Sequence, residues 1–451
     1  MGPHILAAEP VTPLPAGLLL LLLLQIGVLL GLSLVLGRLA QRLGLPRVVG
    51  ELASGVLLGP SVLALVAPQF ATWLFPHEPA QMHVLDAAGQ LGVLLLVGFT
   101  GMHLDVKLAR RHGGTAAAVS TAALLLPLAL GLGLGFALPD QLQPINGDTV
   151  GFACFLGVAL CVSSIPVIGR VLADMNLIDR NVGQIILCVA AVDDAVGWLL
   201  LSLVTAAATT AVTAADIALI LWHLAALLLG VITVGRWTVP RVMRWAGRSS
   251  SRGAPITAAV VLIFLAGAAA QALGFEALLG AFLCGILIGT CAADQGRRLE
   301  PLHTTALGFL SPLFFALAGL RIDLTELAHP TTGLWALAAL GIAIVGKYLD
   351  AFVGSITGHL SRWEALAVGA GINARGVIQV VIAVVGVRLG LLTTAMYSII
   401  VLIALITPVM APPVLKAAMK RLPPTEEETL RAQRLPLQET VEAGSHDRGL
   451  G

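Results

Sequence analysis

Charge is what this chain has least of. Only 11% of its 451 residues are Asp, Glu, Lys or Arg, where a soluble chain of this length carries about 25%. The 26 basic and 25 acidic side chains leave a formal net charge of +1. That excludes the basic surface of a nucleic-acid binder. Aromatic residues are also scarce, at 5% with two Tyr in the whole chain, a poor lining for a pocket that holds a bulky organic ligand. The five cysteines, Cys154, Cys161, Cys188, Cys284 and Cys291, form no CxxC pair. Each falls in or at the edge of an apolar stretch and reads as a small packing residue. No cofactor is expected. The residues before the first apolar run lack a charged n-region and a small-residue cleavage site, so no cleaved signal peptide is expected.

What is abundant is apolar sequence. Hydrophobic residues make up 57% of the chain and the mean hydropathy is +0.94, so lipid is the solvent for most of it. The 49 glycines suit close helix packing in a bilayer. A transmembrane helix needs about 20 mostly apolar residues. By that rule the chain holds about 13 candidates: 17–38, 47–66, 84–103, 113–137, 149–172, 182–208, 214–235, 254–272, 275–291, 303–320, 332–355, 362–386 and 392–416. The fold class is an all-α polytopic membrane protein with no strands. Its expected divisions are an extracytoplasmic segment 1–16, a transmembrane domain 17–420 and a disordered cytoplasmic tail 421–451.

Basic residues set the orientation. Alternate connections hold Arg42 and Arg47, then Lys107, Arg110 and Arg111, then Arg170 and Arg180, then Arg236, Arg241, Arg244, Arg248 and Arg252, then Arg297 and Arg298, then Arg362, and finally Lys416, Lys420 and Arg421. The opposite connections hold little beyond Arg321 and Arg388. The asymmetry places the N-terminus outside and the C-terminus in the cytoplasm. The chain also repeats itself: the run Gly50 to Gly59 resembles Gly280 to Gly289, and Gly101 to Asp105 resembles Gly319 to Asp323. With the orientation above, the copies end on opposite sides of the membrane, the mark of an inverted-topology repeat.

Against that apolar background a few ionisable side chains stand out. Each costs at least about 2.5–3.5 kcal/mol to insert at a helix centre, which makes it a functional candidate. Asp193 and Asp194 lie in the middle of an apolar run. Neighbours on a helix point about 100° apart, so the two carboxylates face different surroundings. One carboxylate can hold a bare cation or a proton, and competition for it gives exchange with no further machinery. Lys347 is the natural partner for one aspartate and a possible proton carrier. Pro166 after Ser163 and Ser164, and the run Gly371 to Gly376 around Asn373 and Arg375, mark two discontinuous helices of the kind that bind ions at the membrane centre. Ser163 and Ser164 offer oxygens to a hard cation. Arg375 offsets the charges of two half-helix ends, or pairs with an acid such as Glu51. Glu51 and Gln379 lie in apolar surroundings as auxiliary candidates. His103 and Asp105 read as interfacial residues, and His223 as a satisfied histidine.

Four stretches carry a family resemblance: Pro46 to Pro60, Ser163 to Leu172, Ala191 to Trp198, and Asn373 to Gln379. Together they resemble the monovalent cation:proton antiporter superfamily, in its bacterial sodium/proton exchanger and potassium-efflux branch, over about residues 20–415. The resemblance implies 13 helices, an inverted repeat with two broken crossing helices, an ion-binding core domain and a dimerisation domain. It makes Asp194 the main carrier, pairs Asp193 with Lys347, and implies electrogenic exchange of Na+, Li+ or K+ for H+ by a homodimer in a bacterial inner membrane. Gly101-Met102-His103 departs from the family's Gly-Leu-Glu, Gln379 replaces an acid, and the chain lacks the nucleotide-sensing domain of potassium-efflux members.

Other classes fit less well. An intramembrane aspartyl protease needs carboxylates facing one another across a water, which adjacent aspartates on one helix cannot do. Nothing resembles the filter loop or charged ring of a channel. A proton-coupled exporter of an organic cation on the same scaffold is the alternative.

Overall fold

The computed structural model describes residues 15–76, 79–102, 113–144, 148–175, 177, 180–209, 214–249, 251, 253–291, 296–358, 360–423, 425 and 428. His103, Asp105, Lys107, Arg110, Arg111, Arg252, the segment 1–14 and most of the tail lie outside the described residues. The described residues form helices and no strand.

The long helices are α1 (Ala16–Arg42), α2 (Arg47–Leu58), α3 (Pro79–Met102), α4 (Gly113–Ala137), α5 (Thr149–Cys161), α6 (Ile165–Asp174), α7 (Asn181–Thr209), α8 (Ala214–Gly230), α9 (Arg236–Gly247), α10 (Ala254–Ala272) and α11 (Ala277–Cys291). They continue with α12 (Ser311–Leu320), α13 (Pro330–Thr357), α14 (Arg362–Ile372), α15 (Val377–Arg388) and α16 (Thr394–Met419). Among the described residues, nine helical stretches are long and apolar enough to cross a membrane, and four shorter apolar helices accompany them. All of them overlap the stretches read from the apolar runs.

Local chemistry explains the ends. Pro46, which donates no amide hydrogen, opens α2, and the extended Gly59 before Pro60 stops it. The expected stretch 47–66 is bent there, between α2 and the turn Leu63–Val66, and as a whole Arg47–Val66 is long and apolar enough to cross a membrane. Ser361 and Glu364 form a reciprocal capping box at the start of α14. Two helices run further than expected: the stretch 214–235 continues past a π turn at Val231–Gly235 into α9, and the stretch 303–320, which holds a π turn at Ala306–Leu310, begins earlier, at Gly296.

The helices pack in two groups. One contains α1, α2, α3, α10, α11 and α12, with α9 against α10 and α11. The other contains α4 to α7 and α13 to α16. The pairing is reciprocal. Gly55 of α2 packs so tightly on α12 that an added methyl group would overlap the Ala316 carbonyl, and one on Gly319 would overlap the Leu52 carbonyl. The equivalent glycines do the same elsewhere: Gly285 of α11 meets Gly98 on α3, and Gly101 meets the Phe282 carbonyl. Each half of the repeat thus presents its first motif to the other half's second motif, as a two-fold relation between the halves requires.

The outer surface is apolar. Leu19, Leu20, Leu23, Trp222, Leu229 and Leu265 are all exposed, and little of the most apolar part of 218–247 is covered by the protein. Such continuous apolar surface is incompatible with water and fits lipid.

Candidate cation and proton site

The second group of helices is built around two interruptions. α5 ends at Cys161, residues 162–164 lie outside any helix with Val162 extended, and α6 begins at Ile165 with Pro166 in its first turn, where a missing amide hydrogen costs nothing. α14 ends at Ile372, and α15 resumes at Val377. The interruptions touch: an added methyl group on Gly376 would lie 2.6 Å from Val167 Cγ2 and 3.9 Å from Ser164 Oγ. Both half-helices before the breaks are deeply covered, with every residue from Phe155 to Cys161 and from Ala367 to Ile372 buried. Irregular backbone at membrane depth is tolerated only under such cover.

α7 crosses beside the interruptions and brings both aspartates to them. Asp193 and Asp194 are fully buried. Lys347 Nζ of α13, also fully buried, donates to Asp193 Oδ2 at 2.9 Å. Ser163 Oγ lies 2.7 Å from the same oxygen and 2.9 Å from the Ile372 carbonyl at the end of α14. Its single proton serves one of the two acceptors at a time. One carboxylate oxygen thus ties together α7, α13, the first interruption and, through Ser163, the second. Asp194, one residue on, is directed away from Asp193 by the helix geometry.

Several polar atoms around this crossing have no hydrogen-bond partner among the described residues: Ser164 Oγ, Asp193 Oδ1, both side-chain atoms of Asn373, Nε and Nη1 of Arg375, and both side-chain atoms of Gln379. Buried polar atoms elsewhere in proteins are almost always satisfied. A cluster of oxygens next to an aspartate pair is the donor set that a small hard cation takes.

Arg375 does not pair with Glu51. Its Nη2 donates to the Ala343 carbonyl of α13 at 3.0 Å, which braces the second interruption against the helix that carries Lys347. Glu51 is held instead by Arg47, one turn earlier on α2, at 2.9 Å. The i,i+4 spacing makes this pair readable from sequence. Glu51 lines a cavity of about 260 Å³ with Gln41, Arg47, Val167 and Ser311, which opens between α2 and α6.

Two further residues escaped the sequence reading. Asp350, on α13 one turn after Lys347, is fully buried, and its only signal was an ionisable residue in an apolar helix. Glu428, in the polar tail, is 5% exposed and docks on the start of α7. It accepts from Arg180 Nε at 3.0 Å and from the Asn181 amide at 2.6 Å, while Arg180 Nη2 donates to the Leu422 carbonyl at 2.8 Å. Burial works to raise the Glu428 pKa, but the amides of Thr425 and Asn181 and the Arg180 charge outweigh it and hold the carboxyl below its ordinary range.

No group of three or more His, Cys, Asp or Glu side chains with the geometry to hold a metal ion occurs among the described residues.

Comparison with known proteins fits this geometry. The sodium/hydrogen exchanger transmembrane family matches residues 28–421. The Na(+)/H(+) antiporter NhaS4 of Synechocystis is 30% identical over 410 residues, covering 88% of this chain and 96% of that protein. The cation/H(+) antiporter 18 of Arabidopsis thaliana is 29% identical over 407 residues, covering 89% of this chain. The chain spans about half the length of that relative, 49%. The sodium proton antiporter MjNhaP1 of Methanocaldococcus jannaschii shares the fold at a TM-score of 0.66 with 17% identity, over 89% of this chain and 99% of that one. A match across nearly the whole helical region, laid over two interrupted helices that meet at an aspartate pair, places the chain in the sodium/hydrogen exchanger family.

Proposed function

We propose that the protein exchanges a monovalent cation, Na+ or its relatives Li+ and K+, for protons across a bacterial inner membrane by alternating access. The single observation that carries this is the buried aspartate pair at the meeting of two interrupted helices. A carboxylate there binds a dehydrated cation or a proton, and binding both at once is unfavourable. Names of the relatives, Na(+)/H(+) antiporter and cation/H(+) antiporter among them, support the same exchange.

In this mechanism Asp194 carries the cation or the proton. Ser163, Ser164 and Asn373 supply neutral oxygens beside it. Asp193 holds Lys347 until a cation competes for the pair, and Arg375 and Pro166 keep the two interruptions in place. Thirteen membrane crossings, the N-terminus outside and the C-terminus in the cytoplasm, belong to the same proposal and are supported by the alternation of basic connections. The α4–α7 and α13–α16 group moves as the ion-carrying body against the other group once its charge is neutralised, because a net charge crosses an apolar barrier at high cost. The apolar outer faces of α1 and α8 are open to lipid or to a second copy in a homodimer. On the Asp193–Lys347 pair alone, exchange is electrogenic: a cation that displaces Lys347 leaves a buried ammonium without its partner, and the ammonium gives up its proton.

The test is flux in proteoliposomes that trap a pH-sensitive dye. Addition of Na+, Li+ or K+ outside alkalinises the lumen through wild-type protein, as the cation enters and protons leave, and Asp194→Asn removes the signal. If no inorganic cation moves protons through correctly inserted protein, inorganic-cation exchange fails and export of an organic cation takes its place.

A further inference from the structure

Arg321 and Arg388 stand on the side that the alternating basic connections leave almost bare, and the exchange above gives neither a task. They are paired differently. Arg321, just past the end of α12, pairs with Asp86 of α3, so both partners belong to one group of helices. Arg388, the last residue of α15, donates from Nη2 to Oε1 and Oε2 of Glu276, each at 2.7 Å. Glu276 immediately precedes α11, so this pair joins one group to the other. Each charge also suits its own helix end, the carboxylate at the N-terminus of α11 and the guanidinium at the C-terminus of α15.

The same side carries two more ties between the groups. Tyr397 Oη, at the start of α16, donates to the Ala318 carbonyl of α12 at 2.6 Å. Ser398 Oγ accepts from the Asp323 amide, beyond the end of α12, at 3.0 Å. Both side chains are buried. Towards the other end of α12 a cavity opens between the groups instead: the one beside Glu51, which Ser311 and Val167 also line. Ser311 and Ala318 are two turns apart on α12, roughly 10 Å at 1.5 Å per residue. Val167 also abuts Gly376, so this cavity reaches the crossing of the interrupted helices from its own side.

We infer that the Glu276–Arg388 pair is the outer latch of the transport cycle. It holds the two groups together on the outer side while the crossing is reached through the cavity beside Glu51, and it parts each time the ion-carrying group turns the crossing outward. Tyr397 and Ser398 close and open with it. This role rests on the alternating access proposed above and names the contact that defines one end state. The pair is suited to repeated opening. The Arg388 side chain is 44% exposed, so water takes over its charge when the pair parts, and an exposed ion pair is cheap to break. The fully buried Asp193–Lys347 pair has no such relief. Arg321 and Asp86 lie within one body and stay together through the cycle.

A tie that only holds the fold can be made covalent without loss, whereas a latch cannot. The test therefore crosslinks the full-length double variant Glu276→Cys/Arg388→Cys in liposomes with a short bis-methanethiosulfonate reagent. Cation-driven proton flux is followed with a pH dye before treatment, after it, and after reduction with dithiothreitol. Wild type, each single variant and the double variant Asp86→Cys/Arg321→Cys are treated alike, wild type setting the baseline for the native cysteines. Crosslinking 276 to 388 is expected to cut flux at least about tenfold, since opening gates each turnover, and reduction is expected to restore it. Crosslinking 86 to 321 is expected to leave flux unchanged. A crosslink between 276 and 388, verified by peptide mass, with undiminished flux overturns the inference. So does a pair of introduced thiols at 276 and 388 that the reagent cannot join, or an equal loss of flux in the 86–321 control. If wild type moves no protons with Na+, Li+ or K+, it is the exchange reading that fails, and that result is distinct from every crosslinking outcome.

Discussion

At the scale of single residues, the proposed exchange divides the buried charges into one that carries, Asp194, and several that hold. On that proposal Asp194→Asn removes the exchangeable charge while leaving the side chain's shape nearly intact. Cation-driven proton flux is expected to fall by at least about 100-fold with an unchanged elution profile, a loss of transition between loaded states worth more than about 2.7 kcal/mol. Lys347 holds. Lys347→Met strands the Asp193 charge, and breaking one side of a buried pair costs about 3–5 kcal/mol. A clear drop in thermal midpoint in detergent is expected, and adding Asp193→Asn should recover most of it. Additive losses in that double-mutant cycle would show that the 2.9 Å contact contributes no coupling. Glu428 gives a pH-dependent prediction outside the membrane. Its folded carboxyl titrates below the unfolded one, so its stabilisation is fully present above the ordinary carboxylate range and is lost as pH falls through the lowered folded value. Proteolysis of the tail should accelerate only on strong acidification in wild type, and already at neutral pH in Glu428→Gln.

At the scale of helices, small residues decide which surfaces meet. Gly285→Ala places a methyl group against the Gly98 carbonyl and is expected to lower thermal stability markedly or abolish insertion. Gly341→Ala on α13 meets nothing within 4 Å. It is expected to be neutral or to stabilise by roughly 0.5–1 kcal/mol, the usual gain of Ala over Gly in a helix. If both variants melt together, the tight crossing of α3 and α11 is not what limits stability. These contrasts also separate what was legible in sequence from what was not. Apolar runs located the spans because a bilayer demands them. Pro166 and the Gly371–Gly376 run located the two interruptions because they break backbone hydrogen bonding locally. That Lys347 pairs with one of the aspartates was legible because an isolated charge there would be intolerable, and that the partner is Asp193 came from the family resemblance. Continuation through π turns was not legible, since the apolar pattern does not change where one extra residue enters a turn. Nor was the partner of Arg375, because a backbone carbonyl leaves no mark in the sequence. Asp350 was visible as a letter but not as a neighbour of an ion pair that only folding creates.

At the scale of the whole molecule, the two groups of helices differ in what they bury. The group around the interruptions encloses the aspartates, Lys347, Asp350 and Arg375, while α1 and α8 turn long apolar faces outward. The cavity beside Glu51 lies where the groups meet, between α2 and α6. The reciprocal crossings of Gly55 with Gly319 and of Gly101 with Gly285 carry a consequence for ancestry. A chain of half this length, inserted both ways round in the same bilayer, would meet its own copy through both crossings at once, since each surface that needs a partner is matched by a surface on the same chain. The present protein is then two such chains fused through α8 and α9. The halves now differ where the chemistry is: the aspartates stand on α7 in one and Lys347 on α13 in the other, so the fully buried ion pair forms only between them.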